Sequence, residues 1–200
     1  MLFAVLLLGV SMSASAQTTA REWVDGLNAT LGERFSLEVE VTMPSQMAVD
    51  DSYIGVVMVD KDGYYLNLGV MEVFSDGKLR YEVNNERKEV TEDRVNLESR
   101  DLLTNPMRAF KFLDEEFALT LGKNIEGVQI VLLQPRSETL GVGYMALLLV
   151  NRADRVVPIG LIYDFDGDLV RIDLQLYDDD RPMPRWDKSA YRAYDIVSFL

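Results

Sequence analysis

The groups of residues in this chain whose spacing could serve chemistry are carboxylates, and the 200-residue sequence contains no histidine and no cysteine. Their absence removes the Ser-His-Asp triad, the thiol nucleophile and the usual zinc site from consideration. Two acidic groups remain, Asp164-x-Asp166-Gly167-Asp168 and Asp178-Asp179-Asp180. Two carboxylates can serve a hydrolase only where the fold brings them together across a cleft, and the sequence does not show such a pair.

The first acidic group is similar to the beginning of a calcium loop. An EF-hand loop needs glycine at its sixth position and glutamate at its twelfth, and neither is placed correctly here. The group lies between two alternating segments, so the pattern favours a hairpin turn. The second group is typical of a solvated loop. We therefore expect no catalysis, no cofactor and no metal.

The N-terminus has the pattern of a secretory signal peptide. An apolar run from Leu2 to Val10 is followed by Ala14-Ser15-Ala16, a typical cleavage site. The run is shorter than the ~20 residues of a membrane-spanning helix. The alternative is a frayed apolar N-terminus of a cytosolic protein. We expect residues 1–16 to be removed and residues 17–200 to form one domain in the periplasm.

The charge of the chain argues against nucleic acid as a partner. Its 33 acidic residues outnumber its 20 basic ones, for a formal net charge of −13. Such a surface repels phosphate backbones and anionic membranes. We expect a soluble monomer.

Most of the chain alternates between apolar and polar residues, as β-strands do. An initial helix is predicted from Thr18-Thr19 to Gly32, and a second helix begins at Asn105-Pro106. The predicted strands cover residues 35–43, 53–60, 64–74 with a bend near Gly69, 79–84, 88–92, 117–122, 128–134, 141–151, 156–165, 169–177 and 194–200. About eleven antiparallel strands with two helices predict a mainly β (α+β) barrel or strongly curled sheet.

The segment Gly143–Val150 is apolar at nearly every position, as is Ile130–Leu133. A strand with one face in water should alternate, so both faces of these strands must be covered. They lie either between two core layers or beside an apolar cavity. Two helices cannot cover so many strands, and a sheet that curls on itself can enclose a ligand. We therefore expect the protein to bind something apolar.

The order of these features resembles the LolA-type outer-membrane lipoprotein carriers, in the divergent form seen in the Bacteroidetes. The resemblance covers nearly all of residues 17–200. It rests on the initial helix, the turn Ser75-Asp76-Gly77-Lys78 before Leu79-Arg80-Tyr81, the Asn105-Pro106 helix start, Asn151-Arg152-Ala153-Asp154, Asp164–Asp168, and Ala190-Tyr191 with Tyr194–Val197. Each motif is weakly specific, and the ordered set carries the resemblance.

The resemblance implies a half-open antiparallel β-barrel with helices plugging its open side, and a function without catalysis. The protein would be a soluble periplasmic carrier that takes acylated lipoproteins from an inner-membrane lipoprotein-releasing transporter towards an acceptor at the outer membrane. Burying each CH₂ of an acyl chain gains about 0.8 kcal/mol, which requires a dry container.

Candidate site residues follow from this expectation. The predicted cavity lining is Leu37, Val39, Val41, Met58, Leu66, Leu68, Leu132, Met145 and Leu147. The predicted lid is Trp23, Leu27, Phe110 and Leu113. The family has an Arg on its third strand that helps to hold the lid shut; Tyr65 stands at that position here. The alternative function is a periplasmic sensor or interaction module of the same fold, which binds a lipoprotein or an envelope-stress signal without transporting it.

Overall fold

The structure, a computed structural model, describes residues 19–43, 51–99, 105–106, 116–137, 143–165, 168–177 and 181–200. In chain order the elements are α1 Ala20–Leu31, β1 Arg34–Met43, β2 Asp51–Asp60, β3 Gly63–Leu68, β4 Met71–Ser75, β5 Leu79–Asn84, β6 Glu89–Arg94, β7 Phe117–Ile125, β8 Val128–Pro135, β9 Met145–Arg152, β10 Arg155–Phe165, β11 Asp168–Tyr177, a 3₁₀ helix Lys188–Tyr191, and β12 Asp195–Ser198. No helix within these ranges is long and apolar enough to cross a membrane.

Helix α1 begins with a capping box. The Thr19 hydroxyl accepts a hydrogen bond from the backbone N–H of Glu22 at 3.2 Å, and the Glu22 carboxylate accepts one from the N–H of Thr19. Together these bonds satisfy two of the donors that a helix start leaves unpaired. Gly32 follows the last helical residue at a φ of 59°. The predicted start and end of this helix are confirmed.

The strands form one curled, open sheet of twelve strands in the order β12-β6-β5-β4-β3-β2-β1-β11-β10-β9-β8-β7. Two meanders, β1–β6 and β7–β11, meet where β1 pairs with β11. The mainly β fold is confirmed, but the expectation of an entirely antiparallel sheet is wrong at one edge. There β12 pairs with β6 in parallel, because the chain crosses one face of the sheet after β11 before it reaches that edge.

The predicted single strand over residues 64–74 is two strands. Gly69 has a φ of +74°, a conformation that glycine adopts at little cost, and the chain reverses there. Strands β3 and β4 then pair antiparallel, with Leu66 opposite Val73. The predicted bend is therefore a complete reversal, and the inward-facing positions change from even numbers, Leu66 and Leu68, to odd numbers, Met71 and Val73.

The sheet has two faces that are covered by different parts of the chain. We call the face that carries Leu37 and Leu147 the inner face, and helix α1 packs on it through Val24, Leu27 and Leu31. The opposite, outer face is crossed by residues 183–194 between β11 and β12. Helix α1 is the one α-helix that lies completely within the described residues. Of the second predicted helix they include Asn105 and Pro106, both buried, and Glu116, which is helical.

Candidate functional site

The inner face carries the main hydrophobic core, which we call the inner cluster. It is built from the alternate residues of nine strands together with α1, and Leu37, Leu147 and Leu149 are completely buried in it. Strand β9 is apolar on both faces, as its sequence indicates. Its inner residues lie in this cluster, while Leu148 and Val150 on its outer face are half-buried.

The inner cluster is bordered by a cavity of about 330 Å³ that opens to solvent. The cavity lies at the end of the sheet that holds the β3–β4 turn. It is lined by Val41, Tyr53, Leu68, Val70, Met71, Asn84 and Tyr163. Ligand sites in proteins have volumes of roughly 300–1,000 Å³ and are mostly apolar with a few polar groups. Here the polar groups belong to the amide of Asn84 and the phenols of Tyr53 and Tyr163.

The wall of the cavity depends on Gly55, which lies on the inner face of β2 between Tyr53 and Val57. A Cβ atom at this position would lie 2.5 Å from the Leu68 side chain and 2.2 Å from the backbone oxygen of Asn67. Because glycine has no side chain, Leu68 can lie over the strand and form the wall. A glycine inside a strand is the sequence signal for such a close approach.

The inner face becomes polar on β5 beyond the cavity. Asn84, Glu82 and Arg80 alternate along this strand, and the Arg80 Nη2 atom lies 2.7 Å from the Glu82 carboxylate. Burial raises the pKa of Tyr64, and the neighbouring Arg80 charge opposes that rise. The apolar part of the inner face therefore ends at the cavity.

Seven of the nine predicted lining residues lie on the inner face. Leu37, Val39, Leu66, Met145 and Leu147 are buried in the inner cluster. Val41 and Leu68 are the two that line the cavity.

Met58 and Leu132 lie on the outer face, so their prediction as lining residues is wrong. In β2, Val57 is opposite Leu37, and the next residue, Met58, therefore points the other way. It is covered by the segment Arg181–Pro184. In β8, Val131 and Leu133 face inward, and Leu132 is 39% exposed. Side chains alternate with period two, so an error of one residue exchanges the faces.

Half of the predicted lid lies within the described residues. Leu27 is completely buried in the inner cluster and Trp23 packs against it, both on α1. Phe110 and Leu113 lie outside the described residues. The role of all four as a lid stays a prediction.

Tyr65 lies on the outer face, away from the cavity. It belongs to what we call the aromatic cluster: Tyr65, Phe74, Tyr81, Trp186, Tyr191 and Tyr194, with Val83 and Val90 beneath them. The Trp186 ring is stacked between Tyr81 at 4.5 Å and Tyr191 at 4.9 Å. This cluster fastens the C-terminal segment to the sheet.

A chain of hydrogen bonds runs beside the aromatic rings. The Tyr65 hydroxyl donates to Glu72 at 2.8 Å, and Asn85 donates to the same carboxylate at 2.9 Å. The Tyr194 hydroxyl in turn donates to Asn85 at 3.0 Å. Burial, with the Glu72 carboxylate, raises the pKa of Tyr65 to about 12.

The first acidic group is part of a hairpin. Strands β10 and β11 pair with Phe165 opposite Asp168, so only two residues connect them. The hairpin prediction is confirmed. Within the described ranges no three Asp or Glu side chains are grouped so that they could hold a metal ion.

No protein-family model and no curated protein sequence matches the chain. Among solved structures, an uncharacterised conserved protein from Thermus thermophilus is similar at 10% identity and a TM-score of 0.52, over 90% of this chain and 98% of that chain. A LolA superfamily protein from Nitrosomonas europaea is similar at 11% identity and a TM-score of 0.47, over 83% of this chain and 96% of that chain. A domain described as an outer membrane lipoprotein-sorting protein from Vibrio parahaemolyticus is similar at 10% identity and a TM-score of 0.46, over 86% of this chain and 96% of that chain.

The curled, open and mainly β sheet agrees with the LolA-like fold that the sequence resemblance implied. That helices plug the open side of the sheet stays a prediction. At these identities the likeness concerns the fold alone, and function has to be argued from the site.

Five cavity residues were missed in the sequence: Tyr53, Val70, Met71, Asn84 and Tyr163. Val70 and Met71 follow Gly69, so recognising a turn there would have placed them at the end of the sheet. Tyr53 precedes Gly55 on the same face. Tyr163 and Asn84 come from strands distant in sequence, and no local pattern connects them.

Proposed function

We propose that this protein is a periplasmic carrier that holds an acyl chain of a lipoprotein in the inner-face cavity and conveys it towards the outer membrane. The observation that supports it is an open, apolar cavity of about 330 Å³ continuous with the core. An acyl chain placed there exchanges water for aliphatic and aromatic side chains, at about 25 cal/mol per Å² of apolar surface buried. Export of residues 17–200 as one domain, after removal of residues 1–16, is part of the proposal.

Transfer of the cargo requires that binding be reversible. The cavity lies at an open end of the sheet and not inside a closed barrel, so a chain can enter and leave without unfolding the core. The fully buried residues of the inner cluster stay packed throughout. The proposal assigns the protein no catalytic step.

Palmitate binding, followed by tryptophan fluorescence or calorimetry, tests the cavity. In Val70→Glu a carboxylate replaces a 47%-exposed cavity residue. We expect palmitate to bind about tenfold more weakly, since a charge beside buried methylenes is costly and this charge also repels the carboxylate of palmitate. Ile54→Glu is the matched control, because Ile54 is 65% exposed and points to the face of β2 opposite to that of Tyr53, which lines the cavity. Equal palmitate affinity in both variants would contradict the assigned cavity.

Purification of the mature protein from periplasm, followed by native mass spectrometry, tests the cargo. A bound acylated peptide or lipoprotein is the expected result. A protein that is empty and that also does not bind palmitate would favour the sensor function over the carrier.

A further inference from the structure

The two edges of the sheet are protected to different degrees. At the β7 edge the register shifts between Leu121 and Asn124, and Lys123 lies within this irregularity. Bulges and lysines are the usual means of keeping an edge from pairing with other strands. Strand β12, at the other edge, is short and begins with Asp195, but it has neither a bulge nor a lysine nor a proline, and all four of its residues are exposed.

The backbone of β12 offers hydrogen-bonding groups at its free side. The N–H of Asp195 donates to Lys88 and that of Phe199 donates to Glu92, both at 2.9 Å. Because of these bonds, the backbone N–H and C=O groups of the odd-numbered residues point towards β6. Since the backbone alternates with period two, the N–H and C=O groups of Ile196 and Ser198 point away from β6. Within the part of the chain that the structure describes, no strand pairs with them.

Beside the polar Asp195 and Ser198, this edge carries three exposed apolar side chains, two in β12 and one directly after it. Ile196 is 36% exposed, Val197 42% and Phe199 65%. An apolar edge of this kind can gain both backbone hydrogen bonds and side-chain contacts from an added strand.

The free edge lies close to the mouth of the cavity. The register aligns Met71 with Asn84, Asn84 with Glu89, and Glu89 with Asp195. Asn84 lines the cavity, and β12 is two strands away, roughly 10 Å at the usual spacing of strands. Asn84 at the cavity and Glu89 on the strand between it and β12 are both polar, so this path suits a peptide and not an acyl chain.

We propose that the free edge of β12 binds, by strand addition, the extended polypeptide segment next to the acyl anchor of the cargo. This inference rests on the proposed function. When the acyl chain of a lipoprotein lies in the cavity, the polypeptide attached to it extends from the cavity opening. Strand β12 is the unpaired edge that lies near this opening.

The charges near this edge favour a basic segment over a second copy of this chain. Strands β6 and β12 carry Glu89, Glu92, Asp93 and Asp195 against Arg94 alone. Lysine or arginine beside the added strand would complement them. Two copies, each with a net charge of −13, repel one another.

The variant Ser198→Pro tests the inference. Proline removes the N–H that points to the free side, and the bonds from β12 to β6 are kept. Val197→Pro is the contrasting variant, because it removes an N–H that points towards β6 and should detach β12. The probes are palmitate and a short Val/Thr-rich peptide with a lysine at each end, with and without N-terminal palmitoylation.

We expect the palmitoylated peptide to bind Ser198→Pro about tenfold more weakly than wild type, and palmitate to bind both equally, since only the strand-addition bonds are lost. In wild type the peptide should slow hydrogen exchange at the amides of Ile196 and Ser198.

Equal affinity of the peptide for wild type and Ser198→Pro without such protection, while palmitate binds, would overturn the inference and leave the carrier function standing. Failure of palmitate to bind would overturn the proposed function and with it this assignment. A dimer in sedimentation that Ser198→Pro abolishes would assign the edge to a second copy instead and overturn the inference.

Discussion

The inner cluster and the aromatic cluster lie on opposite faces of one sheet and are built in different ways. The inner cluster is mainly aliphatic, draws residues from nine strands and is covered by α1. The aromatic cluster spans only β3–β6 and is covered by residues 183–194, with its tyrosines and Trp186 half-buried. The first therefore holds nine of the twelve strands together, and the second fastens the C-terminal segment to β3–β6.

Because of this difference, we expect the inner cluster to determine the stability of the sheet and the aromatic cluster to determine the attachment of the C-terminal segment. Loss of a residue in the inner cluster should destabilise α1 and nine of the twelve strands, since they share that core. Loss of a ring in the aromatic cluster should release the C-terminal segment and β12 and leave the rest of the sheet folded. The first two of the next four predictions test that division, and the other two test single contacts on either face.

The largest effect is expected for Leu147→Ala. Leu147 is completely buried in the inner cluster, so its truncation leaves a cavity and should lower the free energy of unfolding by about 2–5 kcal/mol. Urea denaturation measures this change. Leu148→Ala, one residue along on the half-buried outer face of β9, is the matched control and should have a smaller effect. Equal losses would contradict the assignment of the faces.

A smaller and more local effect is expected for Trp186→Ala. Removing the ring that is stacked between Tyr81 and Tyr191 should destabilise the C-terminal segment by about 2 kcal/mol, less than for a fully buried ring. Hydrogen exchange should accelerate at the amides of Asp195 and Phe199 but not in β9. Trp186→Phe keeps a ring and should retain part of the protection. Equal acceleration in α1 and β9 would show that the two clusters unfold together.

Thr19→Ala should cost about 1 kcal/mol, because it removes the side-chain acceptor that caps the first turn of α1. Thr30→Ala, in the last turn of the same helix, removes the same type of residue without removing a cap. Thermal denaturation of both variants measures the difference. A loss in Thr30→Ala as large as that in Thr19→Ala would contradict the role of the capping box.

The last effect is confined to alkaline pH. The pKa of Tyr65 is raised from 10.0 to about 12, so the folded state holds this proton more tightly than the unfolded chain. The corresponding stabilisation is complete below pH 10 and is lost as the pH rises to about 12. We expect stability to fall less steeply over this range in Tyr65→Phe than in wild type. Urea denaturation at a series of pH values measures the free energy of unfolding of both proteins. An equally steep fall with pH in the two would contradict the raised pKa of Tyr65.

Much of the fold could be predicted from the sequence because its signals are local. The cap at Thr19, the stop at Gly32 and the alternation in β1 each depend on neighbouring residues, and the structure confirms them. The parallel pairing of β12 could not be predicted in this way. It depends on the route of the chain across the outer face, where Trp186 and Tyr191 meet rings of β4 and β5 that lie far away in sequence.

For the candidate site, the sequence determined which residues share a face, because side chains of a strand alternate with period two. It did not determine which face is the inner one where both are apolar, and so Met58 was assigned together with Leu37 although the two point in opposite directions. The tertiary structure decided this by placing α1 on one face and the C-terminal segment on the other. It also decided where the cavity lies, because Val41, Asn84 and Tyr163 come together only when the sheet curls.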